Sequence, residues 1–310
     1  MNHAFLRPKD LAKLQRLNKP IVWTFHDSNA FTGGCHVRYA CTHFEQACGN
    51  CPIVKQPGPH DLSHHIWKAK KQAYTGLELQ VIAPSEWMAQ SAKKSALFAK
   101  SPIHTIPNTL NTQVFAPSDK VLAREKLGLP ANAFLILSGF MPSANDKHKG
   151  ADLLVDALGI FGQNNEAELV VFGNRAAGDL PDFKFKTTFL GTITEEEKLA
   201  LCYAAADVFV TPSIEDNLPN TVLESLACGT PVVAFTTGGI PDMVKHQQNG
   251  YLAKDASPKE LAKGLVWVKN HADKGALSKS ARQTVLTTFS ETVVAQQHIQ
   301  LYQSILHSRA

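Results

Sequence analysis

A chain of 310 residues with 44% apolar content is long enough for two domains and apolar enough to bury a core in each. No apolar run reaches bilayer-spanning length, and the opening MNHAFLRPKDLAKL is mixed and polar rather than a secretory leader, so the expectation is a cytoplasmic protein. The net charge of +4 hides an asymmetry: up to Ile106 there are 13 Lys/Arg against 6 Asp/Glu, and from Pro107 onward 18 against 21. A basic first part suits peripheral contact with anionic lipid or an anionic acceptor, and equally a plain solvated surface. Nucleic acid is not expected as a partner, because no basic helix with interleaved aromatics and no recognition motif is present. A dinucleotide dehydrogenase is also disfavoured, since no G-x-G-x-x-G follows a strand.

In chain order, Pro8 to Leu17 reads as a helix with Leu11, Leu14 and Leu17 on one face. Pro20 to Phe25 is a buried strand, with His26-Asp27 at its carboxyl end, where α/β enzymes place chemistry. A Cys-rich insert follows, with Cys35, Cys41, Cys48 and Cys51 spaced C-x5-C-x6-C-x2-C. The insert is poor in aliphatic residues and buries little, so a crosslink or a metal would explain its order. In a reducing compartment, clustered cysteines point to a structural zinc. Reduced thiols and disulfides stay open as alternatives, and His36 or His43 could replace a cysteine ligand. Asp61 to Gly76 is a helix with Lys68, Lys70 and Lys71 mostly outward. Leu79 to Ala83 is a strand, Ser85 is the N-cap of a helix through Phe98, and His104 to Ile106 is a short strand. The strand leads to Pro107-Asn108.

The second half starts with a helix from Asp119 to Leu127 ending at Gly128, then a strand from Phe134 to Ser138. The loop GFMPSANDKHKG precedes a helix from Ala151 to Phe161. Strands follow at Glu168–Phe172 and Lys186–Leu190, ending in Gly173 and Gly191. Thr194 with Glu197 forms a capping box for the next helix. The most informative stretch is Ala206 to Asp242, which reads strand, acidic loop, helix, strand, Gly-Gly loop, helix. Val208–Thr211 and Pro231–Phe235 are the buried parallel strands, and the helix between runs Asn220–Ala227, with Pro219 suited to its first position. Asp216 in the loop and Glu224 on the helix are placed to accept hydrogen bonds from the hydroxyls of a sugar or ribose. Gly238-Gly239 lets backbone approach a ligand closely. After Tyr251 come two or three helices, the last from Glu291.

These residues resemble the retaining, nucleotide-sugar-dependent family-4 glycosyltransferases of the GT-B fold. The marks are an acid, seven residues and a glutamate (Asp216 and Glu224), followed by A-C-G-x-P-V-V and Gly-Gly. Asp216 stands where that family usually has Glu, and Asp-Asn-Leu-Pro-Asn replaces its common Glu-Gly-Phe-Gly-Leu, which resembles a subgroup. A similar Cys-rich insert after a His-Asp pair occurs in members that build bacterial exopolysaccharides. The resemblance implies an α/β GT-B architecture of two Rossmann-like domains facing a cleft. Residues 1–110 would form a partial acceptor-side domain with the insert at 35–51, residues 111–290 the donor-binding domain, and residues 291–310 a helix crossing back to the first. The first half of the first domain, normally opening with a Gly-rich loop, is not seen ahead of the first strand.

The resemblance further implies transfer of a sugar, with retention, from a UDP-, GDP- or ADP-type donor to a glycan or lipid-linked acceptor, with no catalytic metal. His26 and Asp216 would serve the reacting sugar. The donor would be held by Lys147 and Lys149, by Gly173, by Asp216, Asn217, Leu218, Asn220 and Thr221, by Glu224 at the ribose, and by Gly238 and Gly239. The family's Arg just after the first Gly of the diphosphate loop is replaced here by Phe140. A donor-binding remnant without transfer, and a nucleotide-sugar epimerase on the same fold, are the alternatives.

Overall fold

Strand–helix alternation in the sequence becomes two parallel sheets in the computed structural model, which describes residues 7–139, 147–162, 166–173, 181–183 and 185–308. The chain divides into a first unit, Met1–Pro107 with Gln297–Ala310, and a second, Asn108–Gln296.

In the first unit, α1 (Pro8–Leu11) passes directly into a 3-10 turn over Ala12–Leu17, so the expected continuous helix is broken. Only Leu11 of its apolar face is buried, and Leu17 is 59% exposed. β1 (Ile21–Thr24), β2 (Leu79–Ala83) and β3 (Ile103–Thr105) form a parallel sheet in the order β1-β2-β3. β1 is half-buried along its length, not buried as expected, because among the described residues it pairs on one side only, with Trp23 opposite Val81. α2 (Leu62–Tyr74) is capped by the Asp61 carboxylate and α3 (Glu86–Lys94) by Ser85, each accepting a hydrogen bond from a first-turn amide. The core is an aromatic cluster: Trp23, Phe25, Tyr74 and Phe98 meet at centroid distances of 4.9 to 6.4 Å. Edge-to-face contacts of this kind add to plain area burial.

Lys70 overturns an expectation. It is 1% exposed rather than outward. Its ammonium donates to the backbone oxygens of Asn29 and Thr32, the latter at 3.0 Å, and to Asn29 Oδ1 at 3.1 Å. A buried lysine is tolerated because those oxygens replace water. The insert itself is loop, with one 3-10 turn at His43–Glu45 whose Phe44 is anchored in the core.

The second unit holds α4 (Lys120–Leu127), β4 (Leu135–Gly139), α5 (Ala151–Gly162), β5 (Glu168–Phe172), β6 (Thr187–Phe189), α6 (Glu196–Ala205), β7 (Val208–Thr211), α7 (Asn220–Ala227), β8 (Val232–Phe235), α8 (Ile240–Met243), β9 (Gly250–Ala253), α9 (Pro258–Asn270) and α10 (Lys274–Thr288), and α11 (Glu291–His307) runs from it into the first. Its sheet is parallel in the order β6-β5-β4-β7-β8-β9. Alternate strand residues feed two cores. Leu135, Leu137, Phe209 and Ala234 pack with α6, α7 and α10, whereas Ile136, Val208, Val210 and Val233 pack with α5 and α9. That is a doubly wound sheet covered on both faces. Cys202 and Cys228 lie in the first of these cores. Arg124, 5% exposed, ties the layers together by donating to the backbone oxygens of Ala131, Ala133 and Ala205 and to Asp207.

Two local expectations change. α6 starts at Glu196 with Glu195 as its N-cap and no side-chain cap, so the Thr194 capping box does not form. The Thr194 side chain instead bonds the Glu195 carboxyl, whose pKa is held below its usual range first by a hydrogen bond from Glu195's own backbone and then by Thr194. Pro219 is the N-cap rather than the first helical residue of α7.

Candidate functional site

The strand order of the second unit reverses between β4 and β7, one strand sequence running outward through β5 and β6 and the other through β8 and β9. Ligands of open α/β sheets bind outside the carboxyl ends at such a reversal. The loops leaving β4, β7 and β8 meet there, and their contacts are specific.

Lys147–Lys149 forms a short 3-10 turn before α5. His148 O accepts the amide of Ile214 at 2.8 Å, pinning the β4 loop to the β7 loop. Gly150 sits at φ +66°, and a Cβ there would stand 2.1 Å from Pro212 O, so the approach of the two loops requires glycine. Lys149 Nζ then reaches Asp216 Oδ2 at 2.7 Å, directly across the reversal. The β8 loop closes on the same residue: Gly239 N donates to Asp216 O at 3.0 Å, and Thr237 Oγ1 to Ser213 O at 3.1 Å. A Cβ on Gly238 would lie 1.7 Å from Asp216 O. Phe140 lies outside the described residues, as does the side chain of Lys147.

Among the expected donor-site residues, the structure therefore brings Lys149, Asp216, Gly238 and Gly239 together. Asn220 and Thr221 open α7, while Leu218 turns its side chain into the core. Asn217 stands beside Asp216 in the same loop. Gly173 follows β5 at the same sheet edge, with its amide bonded to Gly191 O at 2.9 Å and its carbonyl to Thr192 Oγ1 at 3.3 Å. Glu224 is half-buried on α7, and its Oε2 accepts the Tyr203 hydroxyl at 2.8 Å. Burial pushes the Glu224 carboxyl up from its usual range, the Tyr203 bond opposes that, and Glu196 adds to it. The sequence pattern alone gives Tyr203 no role; a tyrosine within the alanine-rich run LCYAAAD is the available signal.

His26 belongs to the first unit, exposed at the carboxyl end of β1. Its neighbour Asp27 accepts the Asn29 amide at 2.7 Å and pairs with His36 Nδ1 at 2.8 Å. Of the insert cysteines, Cys48 and Cys51 are buried and Cys35 and Cys41 half-buried, all as free thiols. Cys35 hydrogen-bonds with Cys51 and is pushed up to about 12, by burial first and then by the neighbouring thiols of Cys51, Cys48 and Cys41. The Gly33 amide donates to Cys48 Sγ at 3.0 Å, and His43 Nδ1 is bonded to Gly49 O at 2.9 Å. Among the described residues, no three His, Cys, Asp or Glu side chains gather closely enough to hold a metal ion. A cavity of about 530 Å³ lined by Phe134, Leu158, Glu168 and Lys186 opens at the amino ends of β4 to β6, away from the loops just described.

The architecture is an α/β, GT-B-like glycosyltransferase fold. The sucrose-phosphate synthase of Thermosynechococcus elongatus superposes with a TM-score of 0.70 over 93% of this chain and 68% of that one, at 22% identity. The Anabaena protein HepE, crystallised with UDP, superposes with a TM-score of 0.71 over 96% of this chain and 77% of that one, at 19% identity. Residues 135–271 match the family described as Glycosyl transferases group 1. An uncharacterized glycosyltransferase of Methanocaldococcus jannaschii is 23% identical over 293 residues, 89% of this chain and 73% of that protein. A D-inositol 3-phosphate glycosyltransferase of Xylanimonas cellulosilytica is 31% identical over 204 residues, 58% of this chain and 48% of that protein. Against relatives of that second kind the chain spans about half their length. Among the described residues, no helix is long and apolar enough to cross a membrane.

Proposed function

We propose that this chain binds a nucleotide-activated sugar in its second unit and transfers a hexosyl-type group, with retention, to a glycan or lipid-linked acceptor in bacterial surface polysaccharide synthesis. The observation that carries the reading is the Lys149–Asp216 bridge across the strand reversal, with the β8 glycines closed on the same acid. Lys149 and the start of α5 carry the charge of the donor diphosphate. Asp216 holds the donor sugar and Glu224 the ribose. The acceptor hydroxyl oxygen bonds to the anomeric carbon as the bond from that carbon to the diphosphate breaks, and the hydroxyl proton passes to the leaving diphosphate. His26, at the carboxyl end of β1 in the first unit, is assigned to the reacting sugar. The HepE complexes with UDP and with UDP-glucose make uridine donors the first to try.

Thermal unfolding with UDP-, GDP- and ADP-sugars tests this. A ligand that binds only the folded state raises the midpoint, and one nucleotide series is expected to do so selectively. A cooperative transition shifted by none of them would refute the donor site. Donor consumed without any acceptor would show an epimerase instead.

The basic first unit is assigned peripheral contact with anionic lipid. The four insert cysteines, three of which neighbour Cys35 without forming a closed set, are proposed to bind one structural zinc, and no catalytic step passes through it. Metal analysis of the purified chain is expected to give about one zinc, lost on removing Cys48 and Cys51 together. Metal-free protein with all its thiols titratable, or with two disulfides, would dismiss the assignment.

A further inference from the structure

We infer that Tyr203 is a positioning residue of the donor site: its phenol fixes Glu224 as an oriented, ionised acceptor for the nucleotide. The inference rests on the donor-site reading above and deepens it.

Tyr203 is fully buried on α6, and its ring is held edge-on by Phe115, Phe172 and Phe209 at centroid distances of 5.5 to 6.5 Å. Its own carbonyl is tied by Thr230 Oγ1 at 2.7 Å. A ring so confined has one orientation, and its hydroxyl donates to Glu224 Oε2 at 2.8 Å. A phenol packed this way would be a costly place for an unpaired hydroxyl, so the pair is built as a unit. Burial holds the phenol well above its ordinary pKa, so it stays a donor throughout the working range.

Glu224 sits on the second turn of α7, on the segment that follows Asp216. Among the described residues, three titratable groups besides Tyr203 bear on it. Glu196 at the head of α6 disfavours its ionisation, Cys228 at the end of its own helix is a neutral thiol pushed up to about 12, and the Arg282 guanidinium from α10 is engaged by the backbone oxygens of Phe115, Thr112 and Ala227. The Tyr203 hydrogen bond is thus the contact that favours the carboxylate over the acid. Removing it raises the carboxyl further, so binding that needs the carboxylate is lost at a higher pH than in the parent.

The test is UDP affinity measured by calorimetry from pH 5 to 8 on the full chain and on Tyr203→Phe, Glu224→Gln, Glu224→Ala and the Tyr203→Phe/Glu224→Gln double variant, with urea midpoints for each. Tyr203→Phe is expected to weaken UDP about tenfold on the acid side of the range, with the loss shrinking as pH rises and the acid limb moved upward. In the Glu224→Gln background the same change is expected to add little, because there is no carboxylate left to hold. If Glu224→Ala leaves UDP affinity unchanged, the donor-site reading itself fails. If Glu224→Ala weakens UDP but Tyr203→Phe matches the parent at every pH, the inference falls and the reading stands. A pH-independent loss that follows a fall in the urea midpoint would make Tyr203 structural only and overturn the inference.

Discussion

Lys149→Ala is expected to lower kcat/KM for sugar transfer by about two to three orders of magnitude, the range seen when a preorganised charge-stabilising group is removed. The diphosphate gains negative charge as the anomeric bond breaks, so a cation at its side is worth more in the transition state than in the ground state. Lys149 is held in place for that role, since its turn is pinned through His148 O and Gly150 lets the β4 loop press on Pro212. Its ammonium rests on Asp216, and its side chain is still 42% exposed. An ion pair that open contributes about 0 to 1 kcal/mol to folding. Stability and activity should therefore separate. Urea unfolding of Lys149→Ala is expected to stay within about 1 kcal/mol of the parent, while turnover collapses. A variant that keeps full turnover would show Lys149 to be one more surface lysine. Lys149→Arg serves as the intermediate case, since it keeps the charge but not the compact point geometry.

How much of this is legible in the sequence depends on what each residue reports locally. β7 falls where its run Val208–Thr211 places it, because a strand buried on both faces must be apolar throughout, and β2 and β5 fall where the apolar runs that follow or flank Gln80 and Glu168 place them. Asp61, Ser85 and Asp119 cap the helices that follow them, because the capping bond spans only two or three residues. Thr194 fails by the same rule in reverse: the pattern is present, but Glu195 takes both the cap position and the threonine hydroxyl. β9 escapes the pattern because Gly250–Ala253 carries no β-branched residue, and its place depends on pairing with β8. Lys70 reads as a surface residue because its fate is decided by oxygens 38 and 41 residues away.

The same division runs through the site. Asp216, Glu224 and the Gly-Gly pair lie in one stretch and declare themselves together. The Lys149–Asp216 and Tyr203–Glu224 contacts span 67 and 21 residues, and only the folded sheet brings them together. Strand order, which no local pattern encodes, is what sets the β4 and β7 loops side by side.

Gly238→Ala carries the other large expected effect, and it tests the loop geometry without reference to any ligand. Gly238 has φ +55°, and an added Cβ would meet Asp216 O at 1.7 Å and Asp216 C at 2.8 Å. Both are backbone atoms, so no side-chain rotation relieves the clash; the β7 and β8 loops must separate. The left-handed backbone and the overlap together are expected to cost about 2 to 4 kcal/mol, a drop of roughly 5 to 15 °C in the unfolding midpoint for a unit of this size. Donor binding should fall with it, because the Gly239 amide that holds Asp216 O moves too. The control is Gly159→Ala on the exposed face of α5, where an added Cβ meets nothing within 4 Å. There alanine is expected to stabilise by up to about 1 kcal/mol through helix propensity alone. Both changes add one methyl group to a glycine of the same unit, and only one adds it where two loops touch. If Gly238→Ala unfolds at the parent's midpoint and binds UDP as tightly, the β8 loop does not close on Asp216, and the site must be rebuilt from Lys149 and α7 alone.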